Sequence, residues 1–108
     1  MRTAEAGQLL RIYVGESDTW RGRPVYQAIV ERARRDGLAG ATVTRGIYGY
    51  GAGRRIHRAR SGRISEDVPA VIEIADTPDR ISAFMPVLDE MMRDGLVTLA
   101  GAELFAYR

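Results

Sequence analysis

Between Arg45 and Arg63 the chain carries six arginines, at positions 45, 54, 55, 58, 60 and 63, together with His57 and no acidic residue. Gly46, Gly49, Gly51 and Gly53 fall among them. Glycine tolerates positive φ, so successive backbone N–H groups can turn toward one point, and arginine forks donate charge-assisted bonds to phosphate oxygens. Arg45, Arg54 and Arg55 flanking these glycines would form a cradle for a small anion. The spacing G-x-x-G-x-G lacks the Gly-Lys-Ser/Thr end of a P-loop, and no parallel βαβ unit follows, so neither nucleotide fingerprint applies. On spacing alone the favoured reading of the same residues is a solvated loop, loosened by glycine and kept in solution by arginine.

A second candidate for an anion is the start of the first helix. Its first turn, Pro24, Val25, Tyr26 and Gln27, has no carboxylate and follows Arg21 and Arg23, which suits negative charge at a helix N-terminus. The favoured expectation for Arg21 and Arg23 is nonetheless pairing with the nearby Glu16 and Asp18. Asp79 in the first turn of the second helix would repel an anion there. His57 is the single side chain that titrates near neutrality, but its neighbours are arginines and no Ser-His-Asp order accompanies it. Ligand contact or anchoring of the loop therefore fits His57 better than general base work, and Ser65, Glu66 and Asp67 read as a turn or as ion-pair partners for the loop arginines. Trp20 and Tyr26 could stack on a base, although a Trp ahead of a helix more often staples it to the core. The chain has no cysteine and one histidine, which leaves no thiolate nucleophile and no thiolate or multi-histidine metal site. No residue is expected to be catalytic, no metal is expected, and the chain is read as not an enzyme.

The elements that must hold these residues follow from periodicity. Residues 8–14 alternate Leu10, Ile12 and Val14 with Leu9, Arg11 and Tyr13, as a strand does. Residues 24–36 place Val25, Ala28, Ile29 and Ala33 at helical spacing, from Pro24 to a stop at Gly37. Residues 41–47 make a second strand and residues 68–75 a third, with Pro69 near its start where a missing donor is tolerated. Thr77 caps a second helix whose stripe is Ile81, Phe84, Met85, Leu88 and Met92, with Pro86 as a kink and Gly95 as its end. Residues 97–99 and 103–107 make a fourth strand, split at Ala100 and Gly101. The order β-α-β, loop, β-α-β is that of an α+β, ferredoxin-like fold: a four-stranded antiparallel sheet with two helices on one face. The tetrapeptide Arg-Asp-Gly-Leu closes both helices, at 35–38 and 93–96. The other sheet face would carry Leu9, Tyr13 and Val71 or Phe105, and an uncovered apolar face means self-association.

With 108 residues, 45% of them hydrophobic, the chain reads as one domain over 1–108, with an N-terminal tail at 1–7 and a long basic loop at 48–65. No apolar run is long enough to span a membrane, so a cytoplasmic protein is expected. The net charge of +2 is uneven, because the arginine loop is basic and the remainder is acidic. A nucleic-acid binder usually spreads its basic residues over a face, so nucleic acid is not the expected partner. All basic residues apart from His57 are arginine, which would suit bidentate anion recognition, but a genome-wide codon bias is the favoured reading, since the lack of lysine extends to helix surfaces where phosphate recognition is irrelevant.

The run Gly15-Glu16-Ser17-Asp18, Trp20, Gly22 and Pro24-Val25-Tyr26, then Gly37-Leu38-Ala39-Gly40-Ala41-Thr42-Val43, Arg45-Gly46, Gly49-Tyr50-Gly51-Ala52, Ile56-His57 and Ser65-Glu66-Asp67-Val68-Pro69, resembles the uncharacterised PII-like bacterial family often found near fluoride-channel genes. The resemblance covers about Leu9 to Tyr107. It implies a ferredoxin-like fold, a homotrimer built by sheet-to-sheet contact, and kinship with the nitrogen-regulatory PII signal transducers. In those proteins the loop after the second strand meets partners, and its base binds adenine nucleotides across the subunit cleft. Carried over by position, Arg45, Gly46, Gly49, Gly51, Arg55 and His57 lie at that base, beside Arg54. The chain departs from PII itself in two respects. Tyr48 and Tyr50 stand at the start of the loop rather than its apex, and no basic cluster for phosphates is evident in residues 95–108. The expected function is that of a trimeric PII-like signalling protein that binds a small anionic metabolite, an adenine nucleotide, as ligand and not as cofactor. Its protein partner would be one such as a membrane channel or transporter. The alternatives are a nucleic-acid-binding module using the arginine loop and a small enzyme using His57.

Overall fold

The computed structural model describes residues 1–50 and 68–107, and the backbone of residues 56–58. In chain order the elements are β1 (Arg2–Gly15), β2 (Thr19–Trp20), β3 (Arg23–Pro24), α1 (Val25–Arg35), β4 (Thr42–Arg45), β5 (Tyr48–Tyr50), β6 (Ile56–Arg58), β7 (Pro69–Asp76), α2 (Pro78–Met91) and β8 (Leu96–Tyr107). The main sheet has the order β4-β7-β1-β8, with every neighbouring pair antiparallel. This is the α+β, ferredoxin-like arrangement expected from the sequence, with β1 and β7 at its centre.

Strand periodicity creates the core. Leu10 faces Ile74, Ile12 faces Ile72 and Val14 faces Ala70 across the β1–β7 register, and directly opposed side chains share one sheet face. All six are buried. Val25, Ala28, Ile29 and Ala33 of α1, and Ile81, Phe84, Val87, Leu88 and Met91 of α2, close over them. Each large aliphatic side chain removed from water contributes roughly 1.5–3 kcal/mol. α1 stops where Gly37 takes φ 82° and the N–H of Leu38 donates to the carbonyl of Ala33. α2 starts at Pro78, whose missing N–H costs nothing in a first turn, and it continues through Pro86 to Met91. It stops short of the expected Gly95, because the backbone turns extended at Met92, φ −96° and ψ 135°, and Gly95 has a separate role. Its φ is 133°, and a Cβ there would lie 2.5 Å from the carbonyl oxygen of Tyr13.

Further boundaries differ from the sequence reading. Residues 2–7, expected as a tail, are strand, because residues 102–107 supply the ladder partners, from Arg2 opposite Tyr107 to Gly7 opposite Ala102. The fourth strand is unbroken, since Leu9 and Gln8 pair with Ala100 and Gly101 at the expected split. The basic loop opens and returns as a short ribbon in which β5 pairs with β6.

The sheet face away from the helices carries Leu9, Tyr13, Val71 and Leu96 by register, around the ion pair of Arg11 and Glu73 at 2.7 Å. That hydrogen bond and charge hold the Arg11 guanidinium above its usual range. Phe105 opposes Ala4 and so points to the helix side; of the two residues offered for the open face, Val71 is the one found there. No helix is long and apolar enough to cross a membrane among the described residues.

Candidate ligand site at the base of the loop

Three chain segments meet at one corner of the sheet. β1 ends in a turn where the N–H of Gly15 donates to Asp18 Oδ2 at 2.9 Å and the N–H of Val25 donates to the Asp18 carbonyl at 2.8 Å. This ties the turn to the start of α1. Beside it, the N–H of Glu16 donates to the carbonyl of Val68 and that of Gly46 to the carbonyl of Pro69, each at 2.7 Å. The exit of β1, the exit of β4 and the entry of β7 are thereby locked together.

Gly46 is required by this closeness, since a Cβ at that position would stand 2.7 Å from Pro69 Cγ. Gly49 lies farther from the same ring, at 3.5 Å, and opposes His57 in the β5–β6 register. Arg45, the last residue of β4, extends to Glu16: its Nε lies 2.5 Å from Oε2, and its Nη2 donates to Oε1 at 3.2 Å. The Glu16 side chain is mostly buried, at 17% exposure, against 48% for Arg45. The one described arginine of the expected cradle is thus already facing a carboxylate.

The structure brings Arg45, Gly46 and Gly49 to this corner, with the His57 backbone opposite Gly49. Gly51, Gly53, Arg54, Arg55, Arg60, Arg63, Ser65, Glu66 and Asp67 lie outside the described residues. Glu16 was assigned by sequence reasoning to Arg21 or Arg23, and the structure corrects this. The Arg21-Gly22 turn between β2 and β3 has φ values of 52° and 78°. It places Arg21 over the Trp20 ring and 3.6 Å from Glu90, while Arg23 pairs with Glu31 on α1. Position along the chain favoured the nearer acids; the hairpin turn reverses that by aiming both arginines at the helices. Trp20 packs against the core, as a staple would.

A neighbouring cleft of about 280 Å³ is lined by Ser17, Asp18, Val25, Met92 and Arg93, among others. Arg93, on the connection from α2 to β8, stands in the sequence only as part of a helix-closing tetrapeptide. Nothing in its sequence surroundings placed it next to residues 17 and 18. No group of three His, Cys, Asp or Glu side chains that could hold a metal occurs among the described residues.

A four-stranded antiparallel sheet with two helices on one face, and an excursion between its β4 and β7 strands, is an arrangement shared with solved structures of PII-like proteins. CPII, a nitrogen regulatory PII-like protein from Thiomonas intermedia K12 seen with ADP, AMP and bicarbonate, aligns with a TM-score of 0.65 at 14% identity, covering 94% of this chain and 91% of that one. A protein assigned as PII-like signaling from Thermus thermophilus aligns with a TM-score of 0.61 at 17% identity, covering 95% and 91%. Residues 7–104 match the DUF190 family, described as "Uncharacterized ACR", and the chain belongs to that family. It is 36% identical to a UPF0166 protein of Aquifex aeolicus over 90% of this chain and 91% of the relative. It is 32% identical to a UPF0166 protein of Methanocaldococcus jannaschii over 91% of each.

Proposed function

We propose that this chain is a cytoplasmic, homotrimeric PII-like regulatory protein that binds an adenine nucleotide at the base of its basic loop, in clefts between copies, and turns over no substrate. The observation that carries this reading is the corner where β1, β4 and β7 are locked together, with an arginine and two glycines at the root of the basic loop. The fold is shared with a protein seen with ADP and AMP, which supports the choice of ligand. Arg45, Gly46, Gly49, Gly51, Arg54, Arg55 and His57 are the proposed binding residues, with phosphate oxygens on the arginines and backbone N–H groups. The open apolar sheet face supports the trimer. Ile47, Tyr48 and Tyr50 are strongly exposed at the root of the ribbon, and they would meet a protein partner such as a membrane channel or transporter.

A thermal-shift panel of ADP, AMP, ATP and a short RNA, with chromatography of the ATP sample, tests this reading. Stabilisation by adenine nucleotides with no product formed is expected. Stabilisation by RNA alone would turn the assignment to a nucleic-acid-binding module, and turnover lost in His57→Ala would turn it to an enzyme.

A further inference from the structure

The cleft between the connection from β1 to α1 and the connection from α2 to β8 holds charges that the chain leaves unmatched. It encloses about 280 Å³ and is lined by Asp18 and Thr19 of the first connection and by Arg93 and Asp94 of the second. Asp18 accepts the N–H of Gly15 on Oδ2, while its Oδ1 has no partner among the described residues. Arg93 and Asp94 are exposed, and their side chains have no partner among the described residues either. Opposite charges thus border one space without forming an ion pair across it.

The floor of the cleft is fixed. Val14, Val25 and Met91, which line it, are buried in the core, and close-packed interiors do not move aside for a ligand. Sites that enclose drug-sized molecules run from about 300 to 1,000 Å³, so this one suits a molecule much smaller than a nucleotide. The charges then choose among small molecules. A plain anion drawn to Arg93 would also meet two carboxylates, and a plain cation drawn to Asp18 and Asp94 would leave the guanidinium without a partner. A molecule carrying both charges satisfies all three side chains. α2 sets which end lies where: it stops at Met91 with no basic residue in its last turn, whereas α1 has Arg32, Arg34 and Arg35 there. The carbonyl end of a helix favours positive charge, and beside α2 the chain does not supply it.

We propose that this cleft binds a small α-amino acid, the size of glycine, alanine or serine. Its ammonium group donates to Asp18 and Asp94 beside the end of α2. Its carboxylate takes charge-assisted bonds from the planar fork of Arg93, with the Thr19 hydroxyl as a further donor. None of these residues belongs to the root of the basic loop, so the site is independent of nucleotide binding there.

Calorimetry of the wild-type protein with glycine, L-alanine and L-serine tests the site, with acetate and methylammonium as controls of one charge each. Trp20, the one tryptophan of the chain and the neighbour of Thr19, gives a second reading through its fluorescence. At least one of the amino acids should bind with roughly millimolar affinity or better, and both controls at least about tenfold more weakly. Arg93→Gln and Asp94→Asn should each weaken that binding about tenfold or more, the loss expected of a hydrogen bond to a charged group. Arg93→Lys keeps the charge and should keep more of the affinity than Arg93→Gln, a ranking that damage to the fold would not produce. Acetate or methylammonium binding as tightly as the best amino acid would overturn the assignment, as would unchanged affinity in both Arg93→Gln and Asp94→Asn. Absence of heat and of any fluorescence change up to about 10 mM of all three amino acids, tenfold above the expected constant, would also overturn it.

Discussion

Removing the carboxylate of Glu16 should strengthen nucleotide binding. In the proposed site a phosphate must approach Arg45, whose guanidinium already meets Glu16 through Nε and Nη2. The ligand and the carboxylate compete for one cation, so part of the binding energy goes to opening the pair. Glu16→Gln keeps the shape and the backbone bond to Val68 but removes the charge. Half-exposed ion pairs contribute about 0.2–1 kcal/mol, and this pair belongs toward the upper end because Glu16 is mostly buried. The affinity for ADP should therefore rise by a factor of roughly 1.5 to 5. Arg45→Gln should lower it by a comparable or larger factor, since a charge-assisted bond is lost. Calorimetry with ADP at low salt is the assay, where charges on the ligand and protein are least screened. Weaker binding in Glu16→Gln would show that the carboxylate contacts the ligand instead of competing with it. Unchanged affinity in both variants would remove this corner from the site.

Gly95→Ala should cost about 2 kcal/mol or more, because φ 133° strains any L side chain and the new Cβ meets the Tyr13 carbonyl; urea unfolding measures it, and a cost below about 0.5 kcal/mol would contradict the argument. Asp76→Ala should cost roughly 1–3 kcal/mol, because its buried carboxylate accepts the N–H groups of Ala39 at 2.8 Å and Thr77 at 2.7 Å, holding the turn before β4 to the start of α2. Unfolding curves superimposable on wild type would show that water replaces both bonds.

The core was legible because its signals are local. Leu10, Ile12 and Val14 alternate within one strand, and Val25, Ala28, Ile29 and Ala33 recur within one helix, so each face could be read from spacing alone. The N-terminal part of β1 was not legible. Residues 2–7 read as a tail because they show no apolar alternation, and what makes them strand is pairing with residues nearly the whole chain away. The same pairing carries β8 straight through Ala100 and Gly101, which looked like a break when read without a partner. At the loop root, the glycines and Arg45 were found from composition, but Glu16 was not, since an ion pair across 29 positions leaves no spacing signal. Pro69 explains Gly46 only in three dimensions, where its ring takes up the space a side chain would need.

Native mass spectrometry of the wild-type protein with ADP reads assembly and ligand in one spectrum, and so bears most directly on the claim of a trimer binding nucleotide between its copies. The account predicts a species at three times the 12.0 kDa chain mass that takes up ADP in steps to one per chain. A 12.0 kDa monomer, or a trimer that retains no ADP at saturating concentration, would contradict it.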